Sequence, residues 1–340
     1  MSPRGNELVQ MKGVSKRFDQ KVDPVAWIAR TLGSRTGSEF VQAVDDVNLF
    51  VREGEVLGLV GESGCGKSTL GRMLAGLIEP TSGEIFFDGR NISDRRNGDS
   101  RKLALRMQMI FQDPFASLNP RKRVKDIIGE APRVHGIVAR DQLDSYVEEL
   151  MSKCGLDPAY RNHLPHQFSG GQRQRIAIAR ALAVKADFIV CDEIVSALDV
   201  SIQAQILNLF MDLKSEHRLT TLFISHDLGV VEHVSDRVAI MYLGRVVELA
   251  DTEELFGNPL HPYTRGLLDE VPSLDRRGVQ FAAIEGEIPS PLDPPSGCQF
   301  HPRCPFASDI CRKVAPQSIE RHPGHFISCH HPPTEQREAN

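Results

Sequence analysis

Short apolar runs recur through the first 250 positions, and each ends in glycine or in polar side chains. Val56-Leu57-Gly58-Leu59-Val60 is one, and its continuous apolarity predicts a strand buried on both faces. Lys67 to Leu77 carries the spacing of the helix that follows it. Phe188-Ile189-Val190-Cys191 and Thr221-Leu222-Phe223-Ile224 predict two more strands, running into Asp192-Glu193 and Ser225-His226. Val238-Ala239-Ile240-Met241 and Arg245-Val246-Val247-Glu248 flank Tyr242-Leu243-Gly244 and predict a hairpin. Strand-like runs alternating with helical ones give an α/β domain with a mainly parallel, helix-covered sheet. Ligands of such sheets bind beyond the carboxyl ends of the strands, where these polar residues fall.

The pattern changes near residue 250. Prolines become dense, at Pro259, Pro262, Pro272, Pro289, Pro291, Pro294, Pro295, Pro302 and Pro305. We read one compact domain over 1–250 and a region of loops and short elements over 251–340. A chain of 340 residues with 41% apolar and 25% charged side chains has ample material for a buried core. The formal net charge of -5 lacks the basic footprint of nucleic-acid binding, so no nucleic-acid partner is expected. No apolar run approaches the roughly 20 residues of a bilayer span, and the first residues show no apolar signal segment. The expected location is the cytosol, with docking on a membrane protein left open.

Gly61-Glu62-Ser63-Gly64-Cys65-Gly66-Lys67-Ser68 matches G-x-x-x-x-G-K-[ST] in full, between a predicted strand and helix. Glycines let the backbone wrap phosphate oxygens, and successive N–H groups with the positive helix end face the anion. Lys67 is expected on the β- and γ-phosphates and the Ser68 hydroxyl on Mg²⁺, with Thr69 beside it. A chance glycine-rich turn is the bland reading, and the complete motif in its context argues against it. Asp192 fits a carboxylate of the Mg²⁺ shell, and Glu193 the partner of an attacking water.

Phe168-Ser169-Gly170-Gly171-Gln172 resembles the LSGGQ signature of ATP-binding cassette (ABC) proteins, with Phe for the usual Leu. Gln112 in Phe111-Gln112-Asp113-Pro114 resembles the Q-loop, Ser196-Ala197-Leu198-Asp199 the D-loop, and His226 the switch histidine. These motifs stand in the family's order over about residues 8–250. The signature through Arg180, Val195 to Gln205 and Asn258 to Arg265 look like oligopeptide/dipeptide importer ATPases, the F-type subunit above all. The resemblance implies a RecA-like core, an antiparallel β subdomain, an α-helical signature subdomain and a small cysteine-containing C-terminal extension. One departure is Ile194, where the family usually has proline after the catalytic glutamate. Proline fixes φ and removes a donor, so altered turnover is the expected consequence, not a dead site.

The resemblance implies a catalytic pair, Glu193 on the water and His226 on the γ-phosphate. It implies Gln112 near both ATP and Mg²⁺. Two cassettes would sandwich two ATP molecules, each P-loop facing the partner's Ser169, Gly170, Gly171 and Gln172. Phe18 is our choice for stacking on adenine, with Phe40 as competitor; about residues 19–40, which hold Trp27, look like an insertion. Phe115 and Leu118 are expected as anchors for a permease coupling helix, an ordinary surface loop being the bland alternative. Implied partners are a second ABC ATPase, read as a D-type paralogue in a heterodimer, two transmembrane permeases, and an extracytoplasmic peptide-binding protein acting through them. The chain would then lie on the cytoplasmic face of the cell membrane. Nickel chelates are an alternative cargo. A soluble cassette ATPase in DNA repair or translation and a cluster-bearing regulatory protein are alternatives of another class.

Of seven cysteines, Cys298, Cys304, Cys311 and Cys329 cluster near the end. Their spacing fits neither common zinc fingers nor ferredoxin runs, so zinc, an iron–sulfur cluster and no metal stay open on spacing alone. The likeness to peptide importer ATPases implies a [4Fe-4S] cluster as a structural staple. The nearby His301, His325 and His330 are alternative ligands, and the reading preferred for them is exposed and solvated.

Overall fold

The computed structural model describes residues 7–19, 40–93, 100–270 and 284–332. The proposed insertion, Trp27 included, lies almost wholly outside them. The first sheet is antiparallel, built from β1 (Glu7–Asp19), β2 (Phe40–Arg52), β4 (Ser82–Phe87) and β5 (Arg90–Asn91) in the order β2-β1-β4-β5. Between them in sequence runs β3 (Val56–Val60), which enters the second sheet together with β6 (Met107–Ile110), β7 (Phe188–Asp192), β8 (Thr220–Ile224), β9 (Arg237–Tyr242), β10 (Arg245–Asp251), β11 (Ile319–His322) and β12 (His325–Ile327). Its order is β11-β12-β10-β9-β3-β8-β7-β6. The pairs β3–β8, β3–β9, β6–β7 and β7–β8 are parallel, and β10, β12 and β11 continue the sheet antiparallel.

Side chains alternate across a strand, so a strand apolar at every position feeds a core on each face. Leu57, Leu59, Phe188, Val190, Leu222 and Ile224 join one core, with the antiparallel sheet and helix Lys67–Leu74. Val56, Val60, Ile189, Cys191 and Phe223 join the other, with the helices Val124–Val134, Leu143–Lys153 and Gly170–Leu182. The central sheet is therefore buried on both sides, and its open ends are where polar chemistry collects.

The helix expected over Lys67 to Leu77 stops at Leu74, because Gly76 turns left-handed at φ 64° and the Ala75 and Gly76 amides close the last turn on Gly71 and Met73. The expected hairpin forms between β9 and β10, with Leu243 at φ 42° and Gly244 at φ 85° as its turn. Such turns need positive φ at both central positions, which glycine adopts freely and leucine only under strain.

The C-terminal region is not a loose tail. β12 pairs with β10, and Tyr263 and Phe300 enter the core of the helical face. Glu248, 1% exposed, accepts the Leu260 and His261 amides at 2.6 and 3.0 Å and meets His325 Nε2 at 2.7 Å. His325 is itself 1% exposed, which corrects its reading as a solvated histidine: a buried carboxylate needs a partner, and His325 is that partner.

Candidate functional site

The loop Gly61–Gly66 leaves the carboxyl end of β3 at the middle of the parallel sheet. Glycine is required at its two ends. A Cβ on Gly61 would lie 2.1 Å from the Met241 carbonyl oxygen, and one on Gly66, at φ 108°, 2.1 Å from that of Ala43. No side chain caps the helix that begins at Lys67, so its first amides stay open to an anion. The buried Lys67 Nζ donates to the carbonyls of Gly61 at 2.6 Å and Glu62 at 3.0 Å, folded back over its own loop. Cys65 is buried within the loop, and burial pushes its thiol up.

Parallel pairing sets the carboxylates. Asp192 lies opposite Ile224, and the Glu193 amide donates to the Ile224 carbonyl at 3.0 Å. Asp192 accepts the Ser68 hydroxyl at 2.8 Å; burial lifts its carboxyl above the usual range, against that bond and the charge of Arg72. Glu193 stands at φ 48°, a left-handed backbone that breaks the strand and turns its side chain away from Asp192's course. Its Oε2 accepts Gln112 Nε2 at 2.8 Å and lies 3.3 Å from His226 Nδ1. Three expected residues from three strand ends thus meet on one carboxylate atom. Ile194 is 2% exposed in the core beneath, and the Ser196 amide and hydroxyl both bond the Glu193 carbonyl. The rest of the D-loop leads to Asp199, the N-cap of helix Val200–His217.

The signature residues are organised locally. Ser169 caps helix Gly170–Leu182: its Oγ accepts the Gln172 amide at 3.3 Å, and Gln172 Oε1 accepts the Ser169 amide at 2.9 Å. Gly171 packs on Ile202, with 2.5 Å to where a Cβ would be. Among the described residues no hydrogen bond joins Ser169 or Gln172 to the P-loop of the same chain. Phe18 is 41% exposed with Lys16 Nζ 5.2 Å from its ring centre; Arg17 covers Phe40 in the same way at 4.7 Å.

Past Gln112, Asp113 caps the short helix Pro114–Ser117. Phe115 is 64% exposed, with Arg173 of the signature helix 3.7 Å over its ring. Leu118 is 2% exposed and packs in the helical core, so it is a core residue and not a surface anchor. Leu118 follows the helix with extended backbone, at φ -105° and ψ 132°, so the chain leaves the face that carries Phe115 and turns Leu118 inward.

Cys298, Cys304, Cys311 and Cys329 line one small cavity together with His261, His301 and His330. Burial raises the thiols of Cys298 and Cys304, and lifts that of Cys329 to about 12, with the other three cysteines adding to it. Among the described residues no group of three or more His, Cys, Asp or Glu stands ready to hold a single metal ion. His301 Nδ1 and His330 Nε2 lie 2.9 and 2.8 Å from the carbonyls of Cys298 and Val314, so neither is free.

Two residues that face the P-loop escaped sequence reasoning. Arg303 forms a two-pronged ion pair with Glu62, and Tyr263 Oη accepts the Glu62 amide. Tyr263 belongs to the Asn258–Arg265 run, whose likeness to the importers was the only signal. No motif or resemblance in the sequence singles out Arg303.

Among the described residues no helix is long and apolar enough to cross a membrane. The family described as ABC transporter matches residues 44–196, and that described as Oligopeptide/dipeptide transporter, C-terminal region, matches 247–311. The chain is 52% identical over 294 residues to the oligopeptide transport ATP-binding protein AppF of Bacillus subtilis, covering 85% of this chain and 89% of the relative. It is 50% identical over 297 residues to a probable peptide ABC transporter ATP-binding protein of Sinorhizobium fredii, covering 87% and 84%. Among solved structures, a dimeric ATP-binding cassette in a post-hydrolysis state with ADP and Pi superposes at TM-score 0.60 and 28% identity, over 72% of this chain and 98% of that one.

Proposed function

The chain belongs to the family of peptide ABC transporter ATP-binding proteins, and from that premise we propose that it hydrolyses ATP to drive import of di- and oligopeptides. The observation that carries the proposal is the meeting of Gln112 and His226 on Glu193, beside Asp192 bonded to Ser68, at the mouth of the P-loop.

Lys67 exchanges the Gly61 and Glu62 carbonyls for the β- and γ-phosphates, while the open helix amides receive the remaining oxygens. Ser68 and Asp192 are the fitting pair for Mg²⁺, a hydroxyl and a carboxylate 2.8 Å apart, and the ion supplies charge neutralisation on the phosphates. Glu193 orients and deprotonates the attacking water, and His226 steadies the γ-phosphate. Gln112 links Glu193 to the Phe115 loop, so a permease helix pressed on Phe115 reaches the catalytic carboxylate through one side chain. Ser169, Gly170, Gly171 and Gln172, at the N-terminus of the signature helix, serve the nucleotide of a second ATPase, as expected where one chain cannot close the site on itself. A D-type paralogue is our reading of that second chain, with two permeases and a binding protein completing a transporter at the cytoplasmic face of the membrane. Residues 1–250 act as the cassette and 251–340 as the importer-type extension.

Four thiols around one cavity are a suitable donor set for a [4Fe-4S] cluster, held by Cys298, Cys304, Cys311 and Cys329. Bound there, the group would crosslink a region with little core of its own. Zinc is the alternative.

The test is ATP turnover in the reconstituted transporter. Glu193→Gln should lower it by about 10²–10⁴-fold, the usual worth of a general base, while ATP binding persists. Undiminished turnover with the companion ATPase also disabled would refute the assignment. Iron and sulfide measured on anaerobically purified protein decide the metal.

A further inference from the structure

Glu62, the second residue of the P-loop, is held on three sides. Arg303 Nη1 and Nη2 donate to Oε2 and Oε1 of its carboxylate at 2.8 and 3.0 Å. Its amide donates to Tyr263 Oη at 3.1 Å, and its carbonyl accepts Lys67 Nζ at 3.0 Å. The pair spans 241 residues of chain and is sheltered, with side-chain exposures of 5% for Arg303 and 21% for Glu62. Behind it stands a buried aromatic wall. Tyr242 and Tyr263 stack edge to face at 4.7 Å, and Phe300 packs on them at 5.3 and 5.4 Å. Arg303 lies 5.9 Å from the centre of the Tyr242 ring.

Such a carboxylate is out of place in a loop built to receive a polyanion. Like charges at close range in a sheltered site repel strongly, and the P-loop's other devices are all positive. The two-pronged guanidinium cancels that charge in a geometry only arginine provides. We infer that Arg303 and Tyr263, from the C-terminal region, are positioning residues of the nucleotide site: Arg303 neutralises Glu62 and both fix the loop's entry, so that Lys67 can leave it for the phosphates. The C-terminal extension thereby sets nucleotide affinity. Cys304 follows Arg303 directly and Cys298 precedes Phe300 by two residues, so the cysteine cavity adjoins the clasp.

This inference rests on the ATP-binding reading of the loop, and its test separates the two. Binding of trinitrophenyl-ATP to the full-length chain is titrated by fluorescence, with KM and kcat for ATP measured in the transporter. If the wild type fails to bind, the reading of the site falls and the clasp with it. Arg303→Ala is expected to weaken binding about tenfold, because it leaves an uncompensated carboxylate beside the phosphates, and to raise KM more than it lowers kcat. Arg303→Lys should recover part of the loss. Glu62→Gln with Arg303→Ala should regain most of the affinity that Arg303→Ala loses, because the uncompensated carboxylate is gone. A purely structural pair leaves the double variant as weak as the single one. That result, or Arg303→Ala binding within twofold of wild type, overturns the inference. Where Arg303→Ala fails to fold, Arg303→Gln takes its place in the same comparison, and the same outcomes decide.

Discussion

The nucleotide end of the parallel sheet and the C-terminal extension both gather polar atoms from distant parts of the chain, but they hold them differently. At the strand ends, Asp192 closes a strand buried at every residue, Glu193 follows it, and Ile194, 2% exposed, anchors the turn from below. The polar contacts there are few, and apolar packing does the positioning. In the extension, β11 has three of its four residues exposed and β12 only three residues in all. Besides the β12–β10 pairing and the packing of Tyr263 and Phe300, its hold on the body includes sheltered charge: Glu248 with His325, and Arg303 with Glu62. Apolar packing weakens gradually with lost volume, whereas a buried charge fails abruptly when its partner goes.

That contrast can be broken by experiment. Glu248→Ala strands His325 and two amides at once, and should cost about 3–5 kcal/mol, the usual penalty for breaking a buried pair. Hydrogen exchange should place the damage in β12 and the Leu260–His261 turn, with β7 and β8 still protected. Uniform loss across both regions would erase the distinction. Ile194→Ala should cost about 2–5 kcal/mol as a core truncation, and here the exchange change should centre on β7 and the D-loop. A smaller effect comes from pH. Burial alone would lower the pKa of His325, but the Glu248 hydrogen bond and charge outweigh it and the net shift is upward. Its folded-state pKa exceeds the unfolded value, so its stabilisation is complete below about pH 6.5 and drains away as pH rises through the folded value. The melting temperature should therefore decline modestly from pH 7 upward in the wild type and less in His325→Asn. Parallel profiles for the two would show that the histidine contributes nothing.

Much of the candidate site was legible because its residues lie in contiguous motifs on strand ends. Gly61–Ser68, Gln112, Asp192, Glu193 and His226 were all identifiable, and parallel pairing brings Ser68 to Asp192, and Gln112 and His226 to Glu193. Legibility failed where a side chain's direction mattered. Leu118 was expected on the surface and is buried, and His325 was expected in solvent and is enclosed. A loop residue's facing depends on how one short helix turns, and no periodicity encodes that over four residues.

By itself the sequence determined five strands, β3, β7, β8, β9 and β10, the phosphate loop and the order of the motifs, since local apolar runs and glycine placement dictate these without reference to distant residues. Only the tertiary structure decided that Arg303 and Tyr263 belong to the nucleotide loop and that four dispersed cysteines share one cavity. Those meetings depend on β12 pairing with β10 and on Tyr263 and Phe300 entering the main core. Contacts across more than two hundred residues leave no periodic trace in the chain, because packing selects them and local propensity does not.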